Sequence, residues 1–155
     1  MLFNLSLIAL ITPLFTGVLA GFFGKKIGKV FTNGVTILGV LISLIISIYT
    51  LISILGNPEL VFNQNVYTWL SIGSYKLSIG LLIDNLTVSM MIVVNFVSLT
   101  VHIYTIGYMH KDPGYHRFFC YISLFTFAML SLVMSNNFLQ LFFGWEAVGV
   151  MSYLL

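Results

Sequence analysis

Charge is scarce in this sequence. Only 6% of its 155 residues are Asp, Glu, Lys or Arg, whereas an ordinary soluble domain carries roughly a quarter. With 59% apolar content, this excludes a water-soluble globular domain and leaves an all-α polytopic membrane protein. The 6 basic residues stand at the ends of apolar runs and form no patch, so nucleic-acid binding has no basis. Cysteine is rarer still. Cys120 stands alone, which excludes an intrachain disulfide and the spaced ligands of an iron–sulfur or structural zinc site, and leaves a packing thiol. Flavin and nucleotide motifs are missing too, so no redox chemistry is assigned to the chain. No basic residue precedes the first apolar run, as a secretory leader requires, and that run is expected to remain as a helix.

What is present is a series of long apolar runs separated by short polar ones. The first covers 2–23 without a charge and at about 1.5 Å per residue exceeds the roughly 30 Å hydrocarbon core. Pro13 falls inside it and frees one carbonyl, which a neighbouring helix must satisfy. Gly17 and Gly21 form a small-xxx-small pair that marks close helix packing. Lys25, Lys26 and Lys29 then make a basic loop, which the positive-inside rule places in the cytoplasm with the N-terminus outside. A second run, 30–55, carries Thr36, Gly39, Ser43, Ser47 and Thr50 within an arc of about 80°, a face expected to pack on protein with its hydroxyls bonded to their own helix.

The stretch 57–83 is too broken to span and belongs outside, between the second and third helices. Leu70 and Ile72 alternate before Gly73-Ser74, and Tyr75, Leu77, Ile79 and Leu81 alternate after it, which predicts a short extracytoplasmic β-hairpin. Asp84 is placed to cap a third helix reaching about residue 109. Asp84, Thr87, Asn95, Ser98, His102 and Thr105 share an arc of about 80°, and such a stripe turns toward protein or water, away from lipid. Lys111 and Arg117 return the chain to the basic side, where His110 and His116 are expected to be solvated. A fourth helix over 118–135 and a fifth from about 138, capped at Asn136-Asn137, complete about five transmembrane helices.

Between Arg117 and Leu155, Glu146 is the one Asp, Glu, Lys or Arg. An acidic side chain near a membrane-helix centre costs about 2.5 to 3.5 kcal/mol on insertion scales, and such residues usually face a bundle interior or a water path and carry function. Glu146 lies roughly 12 Å below the helix start, near the midplane, with Gly149 and Tyr153 on its side of the helix. It is the candidate proton carrier. Its alternative role is a protonated carboxyl that hydrogen-bonds a neighbouring helix. His102 is a candidate relay, since imidazole titrates near neutrality; the competing reading is a hydrogen-bonded packing histidine.

The stretches GYMHKDPGYHRFF (107–119) and NNFLQLFFGWEAVGVMSYLL (136–155), after the helix-opening Asp84, resemble the N-terminal part of the antiporter-like subunit L (chain 5) family of proton-translocating NADH:quinone oxidoreductase, respiratory complex I. Ala147 stands where that family usually has glycine. The resemblance implies a proton-translocating membrane subunit, with Glu146 partnered by lysines on later helices. It implies that NADH, FMN, iron–sulfur clusters and quinone bind in partner subunits, with no cofactor in this chain. Its partners would be the other membrane subunits of complex I and membrane lipid, in a bacterial inner membrane in preference to a mitochondrial one. Residues 1–56 would be helices 1 and 2, 57–83 the extracytoplasmic loop, and 84–155 the truncated start of the proton-channel unit. The family is expected to complete its channel with helices that lie past Leu155. A large subunit of a multisubunit cation/proton antiporter is the runner-up, and a structural remnant without transport a third reading.

Overall fold

The computed structural model describes residues 2–56, 61–72 and 75–155. Five helices and one hairpin follow in the order α1 (Leu2–Ile27), α2 (Lys29–Gly56), β1 (Phe62–Ile72), β2 (Tyr75–Ile83), α3 (Asn85–Tyr108), α4 (Tyr115–Val133) and α5 (Phe138–Leu154). Helices α1 to α4 form a ring in which α1 meets α2 and α4, α3 meets α2 and α4, and α2 also reaches α4; α5 leans on the outside of α4. Helices α1 to α4 are long and apolar enough to cross a membrane. The fifth has 17 residues, about 25 Å of helix.

The packing is inverted relative to a water-soluble protein. Thr36, Ser43, Ser47, Asn95, His102 and Ser123 are fully buried, while Phe15, Phe22, Val30, Phe96 and Tyr104 are exposed. In a bilayer this is the stable arrangement, because lipid solvates apolar side chains as well as a core does and only the interior can satisfy polar ones. Both polar stripes expected on the second and third helices therefore point inward.

Several local expectations hold for identifiable reasons. Ser43 Oγ of α2 donates to Ala9 O of α1 at 2.8 Å, and Ala9 is the residue whose carbonyl Pro13 leaves without an in-helix donor. The proline thus stays inside α1 because a serine across the interface replaces the missing N–H. Gly17 and Gly21 are contact points with α4: a Cβ at Gly17 would sit 3.0 Å from Ser123 Cβ, and one at Gly21 would sit 2.8 Å from Cys120 Sγ. Cys120 has a packing role. Thr36, Ser47 and Thr50 bond carbonyls of their own helix.

The first polar turn differs from expectation. Lys25 and Lys26 lie within α1, and Gly28 alone, at φ 112°, turns the chain into α2. Lysine is a good helix former, so the helix continues until a residue free to adopt positive φ ends it. Lys29 Nζ then donates to His110 O at 2.5 Å, which joins this turn to the one between α3 and α4. The basic residues of both turns share one end of the bundle, and the hairpin occupies the other.

The hairpin is longer than its sequence signal. Its strands pair from Phe62↔Ile83 to Ile72↔Tyr75, with irregularities after Asn65 and Thr68 that break simple alternation and hid most of β1. The expected turn at Gly73-Ser74 and the loop at Asn57-Pro58 lie outside the described residues. Asn136, Asn137 and Gln140 clamp both strands of the hairpin to the junction of α4 and α5. Asn136 Nδ2 donates to Asn63 Oδ1 and Asn65 Oδ1, both at 3.0 Å. Asn137 Nδ2 donates to Ser78 O at 2.8 Å, and Gly80 N donates to Gln140 Oε1 at 2.9 Å.

This geometry makes topology testable. With the lysine end in the cytoplasm, a membrane-impermeant thiol reagent applied from outside labels Thr68→Cys and misses Lys26→Cys in a Cys120→Ser background. The opposite labelling pattern would invert the bundle.

Candidate functional site

Asn137 opens α5. Its extended backbone (φ −149°, ψ 157°) lets its side chain accept from Gln140 N at 2.9 Å, so the N-cap expected at the Asn pair falls on its second member. Asp84 caps α3 in the same way, accepting from Thr87 N at 2.7 Å. The orientation of α5 is set by Gly144, which is buried against α4; a Cβ there would sit 2.9 Å from Leu132 Cα. Glu146 follows by two residues, about 200° around the helix, and so faces away from α4. Glu146, Gly149 and Tyr153 all lie on the exposed side of α5. A Cβ at Gly149 would meet nothing within 4 Å. The grouping expected from helical spacing is present, and it forms a surface where the glycine gives another helix close access to the carboxylate.

His102 is placed quite differently. It is fully buried between α3 and α4. Its Nδ1 lies 2.8 Å from Ser98 O and its Nε2 lies 3.0 Å from Ser123 Oγ. A carbonyl only accepts, so Nδ1 carries the proton, and in the neutral ring Nε2 accepts from the Ser123 hydroxyl. Phe119 meets the ring edge to face, with centroids 5.9 Å apart. Ser98 Oγ lies 2.5 Å from Thr126 Oγ1, which donates to Ile122 O at 2.9 Å. The result is a polar column inside the ring of helices.

Ser123 and Thr126 on α4 were not singled out by sequence reasoning. Three residues apart, they lie on one face of an aromatic-rich helix, a signal that is weak until the partner helix is known. The structure does not bring His102 and Glu146 together. His102 meets α4 at Ser123, whereas α5 meets α4 at Leu132; nine residues at about 100° each place those two positions on opposite faces. His110 is exposed, as expected. His116 is not simply solvated: it lies in the first turn of α4, half-buried, with Nδ1 2.8 Å from Thr32 Oγ1 of α2. Among the described residues, no three His, Cys, Asp or Glu side chains gather where they could hold a metal ion.

Residues 69–119 match the family described as NADH-ubiquinone oxidoreductase (complex I), chain 5 N-terminus. NADH-quinone oxidoreductase subunit L of Neisseria meningitidis is 57% identical over 153 residues, covering 98% of this chain and 23% of the relative. NADH-ubiquinone oxidoreductase chain 5 of Dictyostelium discoideum is 42% identical, covering 96% of this chain and 22% of the relative. The chain thus spans less than a quarter of the length of these curated relatives. Among solved structures, a chain of the membrane-bound sulfane sulfur reductase, an archaeal respiratory membrane complex, aligns with a TM-score of 0.69 at 18% identity, over 95% of this chain and 22% of that one; this likeness establishes the fold. A lone carboxylate on an outer helix face and a polar interior agree with the alignment of 98% of this chain to subunit L: the chain belongs to the subunit L (chain 5) family of NADH:quinone oxidoreductases and corresponds to its N-terminal region.

Proposed function

We propose that this chain is the N-terminal part of a membrane subunit that translocates protons as electrons pass from NADH to quinone in other subunits. The observation that carries this reading is the 57% identity to subunit L across 98% of the chain. Glu146 is the residue that binds and releases the proton. A carboxylate's proton affinity rises on desolvation and falls beside a cation, so a lysine moving toward or away from the exposed face of α5 would switch Glu146 between holding and releasing its proton. Residues 84–155 form the start of the proton-channel unit, and the hairpin clamps its outer end.

The partners in this reading are the other membrane subunits of complex I and surrounding lipid. NADH, FMN, iron–sulfur clusters and quinone are held by partner subunits, and the membrane is the inner membrane of a bacterium. The test is genetic and biochemical together. Removing the coding region for this chain from its host should abolish NADH-driven proton uptake in inverted vesicles, and the intact gene should restore it. Uptake that is unchanged in the deletion strain overturns the reading. Flux that depends on a cation gradient, with no NADH requirement, would identify an antiporter.

His102 has both ring nitrogens engaged, which supports a hydrogen-bonded link between α3 and α4; as a relay it would have to release its Nδ1 proton, which the Ser98 carbonyl accepts as a hydrogen bond but cannot take up. His102→Gln should destabilise the assembled subunit by about 1–3 kcal/mol, the cost of leaving buried partners unpaired, while flux per assembled complex falls less than with Glu146→Gln. Equal losses of flux in the two variants, both with full assembly, would make His102 an obligatory relay.

A further inference from the structure

Helix α2 meets α1 on one side and α3 on the other through small polar side chains. Ser43 and Ala9 mark one level of this interface. Ser6 precedes Ala9 by about one turn on α1, and Ser47 follows Ser43 by about one turn on the antiparallel α2, so Ser6 and Ser47 come level with one another. Asn95 of α3 joins them, its Nδ2 donating to Ser47 Oγ at 3.1 Å. Ser6, Ser47 and Asn95 are each 0% exposed. Ser47 is paired twice, since its hydroxyl also donates to Ser43 O at 2.8 Å. Ser6 Oγ and Asn95 Oδ1 have no protein partner; among the described residues they are the two buried side-chain oxygens left in that condition. A polar group buried without a hydrogen-bond partner destabilises the fold. Two such groups on different helices, level with a shared serine, call for a third molecule.

We propose that Ser6, Ser47 and Asn95 bind a water molecule inside the bundle. The water donates one hydrogen to Asn95 Oδ1 and the other to the remaining lone pair of Ser47 Oγ, and it accepts the Ser6 hydroxyl hydrogen. Both orphaned oxygens then have a partner, and the water makes three bonds, the usual number for a buried water. The site ties three helices together through one molecule. It does not involve Glu146 and does not depend on which ion the subunit moves.

The assembled complex provides the test. A density map at a resolution where other buried waters are visible should contain a peak within hydrogen-bond distance of Ser6 Oγ, Ser47 Oγ and Asn95 Oδ1. No peak, with the Ser6 hydroxyl turned onto the Leu2 carbonyl, would refute the site. Thermal unfolding gives an independent reading through its sign. Ser6→Ala removes an anchor of the water and should lower the melting temperature of the assembled subunit; were Ser6 a dry orphan, its removal would raise the melting temperature. Ser6→Ala and Asn95→Ala should together lower it by less than the sum of the single losses, because either one already releases the water. Strictly additive losses would contradict a shared water.

Discussion

Glu146→Gln in the assembled complex should lower NADH-driven proton translocation and coupled quinone reduction roughly tenfold or more, equivalent to about 1.4 kcal/mol on the coupled step, with assembly intact. Glutamine keeps the volume and a carbonyl oxygen but can neither take up a proton nor carry the charge that pairs with lysine. Because the Glu146 side chain lies on the exposed face of α5 and not in the packed interface with α4, the substitution removes no packing within this chain. A loss of flux would therefore report lost chemistry and not a lost fold. Glu146→Asp should be milder, since it retains the charge and withdraws it by one methylene. Normal flux from a fully assembled glutamine variant would leave Glu146 as a neutral hydrogen-bonding carboxyl.

Gly144→Ala should have an effect of the opposite origin. The added Cβ meets the Leu132 backbone at 2.9 Å, where no flexible side chain can give way, so α5 must shift from α4 or the helices must bend. Overpacking of this kind costs about 1–3 kcal/mol. It also moves Glu146, which sits two residues away on a helix held principally by α4. Lower thermal stability and lower flux are expected together, measured on purified complex. Gly149→Ala, whose Cβ meets nothing within this chain, is the control for helix propensity. It should leave the melting temperature of the α4–α5 pair unchanged or slightly raised. Equal destabilisation by both substitutions would show that the Gly144–Leu132 contact does not set the position of α5.

The two residues singled out for proton chemistry illustrate different limits of sequence reading. Glu146 was legible because a lone charge in an apolar stretch is expensive wherever the helix is placed. His102 was legible as part of an inward stripe, since period and polarity together decide which face avoids lipid. Its partners were not. Ser123, which meets His102, and Thr126, which meets Ser98, lie more than twenty residues away on another helix, and nothing in a local window says which face of α4 will meet α3.

The amino-acid order alone determined the membrane-spanning class, the succession of helices, the caps at Asp84 and within the Asn136-Asn137 pair, and the inward direction of the polar stripes. These follow from local periodicity and from the cost of placing polar groups in lipid, and both act residue by residue. Tertiary structure decided the rest. It paired Ser43 with the carbonyl that Pro13 freed, extended the hairpin through irregular pairing, drew His116 onto Thr32 and put α4 between His102 and Glu146. Each outcome depends on which helix faces meet and at what height, and those are properties of the packed bundle.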